Sequence, residues 1–203
     1  MSKSKKISKS QIDKVVKKAL KFGKSLIGTG RGPHWKKFKP NEPMPPLWHT
    51  DKKLPNKQII KKKGTNCVGL ANLIRNHIGL PRIMLNDKKY KYPEIGGTYH
   101  WFHYFKKIKK LKKINLNKSY PTGTLLLRDY NPNDGGHVGI IYKENKKGVL
   151  FSSLLHSVGW NDGSGKRGVK IDESVGKSHF AQYNGTTNKG HYTHICLPED
   201  WLI

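Results

Sequence analysis

Cys67 and His137 are the two side chains whose types and settings point to chemistry. Cys67 lies in Gly64-Thr65-Asn66-Cys67-Val68-Gly69-Leu70, and seventy residues later His137 lies in Gly136-His137-Val138-Gly139-Ile140-Ile141-Tyr142. A thiolate attacks carbonyl carbon, and an imidazole beside it can act first as general base and then as general acid toward the departing amine. The pair therefore describes a cysteine hydrolase. The competing account of the same residues is a buried structural cysteine and a loop histidine, since cysteine is among the most buried residue types.

The elements that must position the pair can be read locally. Leu70, Ala71, Leu73, Ile74, His77 and Ile78 recur at three- and four-residue spacing, which predicts a helix whose first turn holds Cys67. Thr65 or Asn66 can cap that turn, and its unpaired N–H groups and dipole favour a thiolate over a thiol. His137 opens a short hydrophobic run ending at Tyr142, set between Asp134-Gly135-Gly136 and the lysine-rich stretch 143–147, and this reads as a strand between loops. Further strands are expected over 124–128, 149–156, 168–171 and 191–197, and further helices over 11–26 and 98–113. Helices first and consecutive strands after, without βαβ alternation or internal repeat, predict an α+β domain with helices on one side of an antiparallel sheet.

At these motifs the chain resembles the NlpC/P60 family of papain-like cysteine peptidases. Asn66-Cys67-Val68-Gly69 matches the family's Asp-Cys-Ser-Gly helix start, and Gly136 to Tyr142 its Gly-His-Val-Gly-Ile-Tyr strand. Pro121-Thr122-Gly123-Thr124-Leu125 is similar to the Pro-x-Gly-Asp-Leu segment that leads into the histidine strand. The helix over 11–26, with Gly28-Thr29-Gly30 and Pro33-His34-Trp35 after it, resembles the opening helix and its Gly-x-Pro-Tyr-x-Trp-Gly loop. The resemblance touches most of the chain between residues 11 and 171 in the family's order, with the cysteine and histidine motifs the specific ones, and implies a papain-like core with the cysteine at the N-terminus of a helix packed on an antiparallel sheet. It also implies a third polar residue orienting the histidine, for which His156 in the strand over 149–156 is the counterpart; Ser152 and Asn161 are rivals. The oxyanion donor implied is the Cys67 backbone N–H, with His34 or Trp35 standing where the family has a tyrosine. Asn66 and Val68 replace the family's aspartate and serine. The substrate implied is an amide in peptidoglycan stem peptides or another short peptide. The order of cysteine before histidine differs from the circularly permuted acyltransferase relatives.

Length and composition bound the rest. The 203 residues suit a single domain over 11–203, preceded by a Lys/Ser-rich tail over 1–10 expected to be disordered. The tail lacks an apolar stretch, so no signal peptide is expected, and no apolar run spans a bilayer; a soluble, cytoplasmic or virion-associated protein follows. The formal charge is +27, and the forty basic residues divide into 35 Lys and 5 Arg. Readers of bases favour the bidentate guanidinium, so the lysine excess suggests a viral or host genome rich in A and T instead. The charge would still draw the chain to cell-wall polymers or nucleic acid in a salt-dependent way. The alternative function is accordingly a catalytically inactive polyanion-binding or virion scaffold on the same fold.

Several weaker signals have plain explanations. Ile12, Val15, Val16, Ala19 and Leu20 form one apolar stripe opposed by lysines, with Ser10 and Asp13 spaced as a capping box; packing on the core is favoured over lying on a membrane. Trp101, Phe102, Phe105, Ile108 and Leu111 at helical spacing read as a core stripe, with base stacking as the alternative. Residues 28–56, rich in proline and glycine, read as a loop over the core. Gly163-Ser164-Gly165-Lys166-Arg167-Gly168 has dinucleotide-motif spacing but no following helix, and reads as a loop. Zinc would need Cys67, His137, His156, His191, His194 and Cys196 to cluster, and no Cys-x-x-Cys or His-Glu-x-x-His spacing supports that; no cofactor or metal is expected. Two cysteines make no disulfide framework, and Cys196 reads as core.

Overall fold

The structure, a computed structural model, describes residues 7–30, 47–85, 96–129, 136–158, 168–173 and 192–203. Helix α1, Lys9–Ser25, starts two residues ahead of expectation because Ser8, not Ser10, is its cap. The Ser8 hydroxyl accepts from the Gln11 N–H and the Gln11 carboxamide accepts from the Ser8 N–H, a reciprocal capping box. Its apolar stripe is buried at Val16, Ala19, Leu20 and Phe22. Gly23 lets it approach closely, since a Cβ there would sit 2.6 Å from Leu155 and 3.0 Å from Ile74.

Helix α2, Lys57–Lys63, was not legible: one buried residue, Ile60, is too little periodicity to register, and the cap Asn56 and the turn at Gly64 define it instead. Helix α3, Cys67–His77, is capped by Asn66, whose side-chain oxygen accepts from the Gly69 N–H at 2.7 Å. The expected single buried stripe is in fact buried all round from Val68 to Arg75. Such a helix must satisfy its polar groups internally. Asn72 donates to the carbonyls of Leu47 and Gly96 and accepts from the Trp101 indole, while Arg75 donates to the carbonyls of Trp201 and Pro81.

Helix α4, Thr98–Lys107, ends well short of residue 113. Beyond Ile108 the lysine-rich chain has little to bury, Lys109 turns into the left-handed region (φ 58°), and Lys112–Lys113 form a short strand, β1. Trp101, Phe102 and Phe105 are buried, so these rings are core and have no face for stacking a base.

The other strands are β2 (Leu125–Arg128), β3 (His137–Lys143), β4 (Ser153–Val158), β5 (Gly168–Asp172) and β6 (His194–Cys196). The strand expected from residue 149 begins at 153, because Val149–Phe151 form a 3-10 turn. The sheet order is β1-β6-β2-β3-β4-β5, and every neighbouring pair is antiparallel. Alternation gives it two apolar faces. Leu125, Leu127, Val138, Ile140, Leu155 and Cys196 pack with the helices, whereas Leu126, Ile141, Leu154 and Ile195 form a smaller cluster with Tyr120 and Tyr192. The described helices thus cover one face of an antiparallel sheet, and the class is α+β. A four-residue helix α5, Pro198–Trp201, closes the chain, its Trp201 buried against Trp101. No helix among the described residues is long and apolar enough to cross a membrane. The tail before residue 7, the part of the proline-rich stretch over 31–46 and the glycine motif before Gly168 lie outside the described residues.

Candidate active site

Cys67 is the first residue of α3 and is half-buried. Its amide belongs to the first helical turn, whose N–H groups lack partners within the helix. Two bonds hold the preceding turn: the Thr65 N–H donates to the Gly30 carbonyl at 2.9 Å, and the Ser157 hydroxyl donates to the Thr65 carbonyl at 2.8 Å. Asn66, where the resemblance leads one to expect an aspartate, supplies the cap itself and keeps the helix start intact. Cys196 differs in every respect, being fully buried in the helix-side core with its thiol pushed far above the usual range by desolvation and then by the charge of Asp200.

The histidines meet through sheet register. His137 and Gly139 lie on one face of β3, being two residues apart, and His156 of β4 pairs directly with Gly139. His137 Nε2 and His156 Nδ1 are 3.3 Å apart. On the next strand Lys170 pairs with His156, and Asp172, two residues on, is its diagonal neighbour. Asp172 Oδ2 lies 2.7 Å from His156 Nε2, and Asp172 Oδ1 lies 3.0 Å from Lys170 Nζ. His137 and His156 are both buried.

Tyr192 packs against this array. Its hydroxyl is 3.3 Å from His156 Nδ1, and its ring centroid is 5.4 Å from that of His137. The phenol is held well above its ordinary range, first by complete burial, then by negative charge on Cys67 and on Asp172, with Arg128 opposing. Tyr192 thus lies against both His137 and His156. Gly139 makes the room: a Cβ there would collide with the Tyr192 hydroxyl.

Of the expected site residues, His137 and His156 are hydrogen-bonded neighbours, and Cys67 stands at the start of α3. Ser152 sits in the turn before β4, four residues from His156, with its buried hydroxyl unbonded among the described residues. His34, Trp35, Asn161 and His191 lie outside the described residues. His194 does fall on a strand with Cys196, but its ring packs edge-on against Phe102 at 4.9 Å. Among the described residues no group of three His, Cys, Asp or Glu is arranged to hold a metal. Asp172 and Tyr192 escaped sequence reasoning. The strand over 168–171 was visible, yet only the pairing register brings the residue at its end to His156, and nothing local marks Tyr192. No protein-family model, no curated protein and no solved structure matches this chain.

Proposed function

We propose that the protein is a cysteine peptidase or amidase that hydrolyses an amide bond in a short peptide, with peptidoglycan stem peptides as the substrate class implied by its resemblance to the NlpC/P60 family. The observation that carries this reading is the array of His137, His156 and Asp172 in hydrogen-bonded sequence, with Tyr192 against both histidines and Cys67 at the start of α3. A structural cysteine and a loop histidine would need no such ordered row of buried polar groups.

In this mechanism His137 takes the proton of Cys67 as the sulfur adds to the carbonyl carbon. The Cys67 backbone N–H donates to the oxyanion that forms. Collapse expels the amine, which leaves with the proton from His137, and a thioester joins the acyl group to Cys67. His137 then deprotonates water, which attacks the thioester; the carboxylic acid departs and the thiol is restored. His156 holds the imidazole of His137 in orientation throughout.

Incubation of the full chain with purified cell walls and with a peptide library, followed by mass spectrometry of new amino termini, tests the reading. Products that appear with the wild type and vanish with Cys67→Ser support it; no products from either preparation contradict it. The formal charge of +27 favours the second reading, a polyanion-binding scaffold. In that case the protein binds heparin or DNA with an affinity that falls steeply as salt rises, and Cys67→Ser changes nothing.

A further inference from the structure

We propose that Asp172 is a positioning residue that, acting through His156, decides which nitrogen of His137 exchanges a proton with the thiol. This deepens the hydrolase reading and rests on it for its catalytic consequence, although the proton pattern itself can be measured without any substrate.

The pattern follows from donor and acceptor counting. Lys170 Nζ, which can only donate, lies 3.0 Å from one oxygen of Asp172, and the other oxygen lies 2.7 Å from His156 Nε2. A carboxylate beside an ammonium accepts at both oxygens, so His156 carries its proton on Nε2. A neutral imidazole then presents a lone pair at Nδ1. Two groups converge there at 3.3 Å, the Tyr192 hydroxyl and His137 Nε2. Tyr192 is buried and stays protonated, so it is a donor. The two groups share that single lone pair in a three-centre bond, which both 3.3 Å separations suit, so His137 Nε2 also carries a proton. That leaves Nδ1 of His137 as the nitrogen that takes the proton of Cys67.

Lys170 makes the arrangement unusually sensitive to one atom. In Asp172→Asn the ammonium retains the amide oxygen, so the amide NH2 faces His156 Nε2. That nitrogen must now accept, the His156 proton moves to Nδ1, and His137 Nε2 faces a donor and must become the acceptor. The variant therefore inverts both tautomers with almost no change of shape. Adding Lys170→Met releases the amide to turn its oxygen toward His156, and the original pattern returns.

Long-range proton–nitrogen correlation spectra of the 15N-labelled full chain near neutral pH read these protons directly. The expected result is Nε2–H on both His156 and His137 in the wild type, Nδ1–H with bare Nε2 on both in Asp172→Asn, and recovery in the double variant. Alkylation of Cys67 by iodoacetamide is expected to slow on the order of tenfold in Asp172→Asn and to recover with the spectrum. A proton on His156 Nδ1 in the wild type, an unchanged pattern in Asp172→Asn, or inversion that persists in the double variant would overturn the proposal. Should the single variant fail to fold, the wild-type spectrum alone decides. The two readings fail separately: the stated protons with an unreactive Cys67 refute the hydrolase and leave the proton assignment standing, and a reactive Cys67 with the opposite protons does the reverse.

Discussion

Ser157 donates its hydroxyl to the carbonyl of Thr65 across 2.8 Å, a buried bond between positions 92 apart in sequence. Ser157 follows His156 directly on β4, so by alternation it faces the helix side of the sheet while His156 faces the other. One strand thus places His156 beside His137 and also fastens the turn that precedes Cys67.

Ser157→Ala removes that tie and leaves a buried carbonyl without its donor. The expected cost is about 1–3 kcal/mol of stability. Urea unfolding should show a lower midpoint with an unchanged slope, and alkylation of Cys67 should slow because the start of α3 is less firmly held. An unchanged midpoint would mean that the bond is replaced by water at no loss.

Gly139→Ala is expected to destabilise by about 1–3 kcal/mol through overpacking, since the new methyl collides with the Tyr192 hydroxyl. The nearest obstacle is that oxygen, so Tyr192→Phe should partly relieve the collision. In a double-mutant cycle by urea unfolding, the two changes together should cost less than the sum of each alone. Additive costs would show that Tyr192 moves aside freely.

Acid should destabilise the fold through His100. Desolvation first, and then the nearby His49, push its imidazole down to about 4 from the ordinary 6.5. Each ring nitrogen faces a backbone N–H, from Gly96 at 2.8 Å and from Leu85 at 2.6 Å; a neutral ring can accept one, an imidazolium neither. The folded value lies below the unfolded one, so between these two pH values the unfolded chain binds more protons. The contribution is complete above pH 6.5 and is lost as pH falls toward 4, at a slope on the order of 1 kcal/mol per pH unit. His49, His77 and His194 are also lowered, each chiefly by burial, and add to the loss with the same sign. Urea unfolding at a series of pH values should show the slope, and His100→Gln should flatten it; stability that holds constant from pH 7 to 4.5 would contradict the assignment.

What could be read beforehand was local. Asn66 ahead of an apolar period marked the start of α3, and a hydrophobic run between glycine-rich and lysine-rich loops marked β3, so Cys67 and His137 stood out together with the α+β class. Register was not local. Asp172 reaches His156 only because β5 pairs with β4 in one particular alignment, and Tyr192 reaches the site from beyond β5 in the chain. Short elements were equally silent: β1 is two residues whose partner, β6, lies some eighty positions away, and the lysines around it looked like a continued helix. The capping box fell at Ser8 and Gln11 because glutamine serves at the third position as well as an acid does.

The most direct measurement of the central claim is the rate at which iodoacetamide modifies each cysteine of the intact protein near neutral pH, followed by peptide mass spectrometry. Cys67, half-buried at a helix start, should react far faster than Cys196, which is fully buried with its thiol held high. Its rate should fall on the order of tenfold in His137→Ala. Equal, slow modification of both cysteines, or a Cys67 rate indifferent to His137, would contradict a thiol activated by that imidazole.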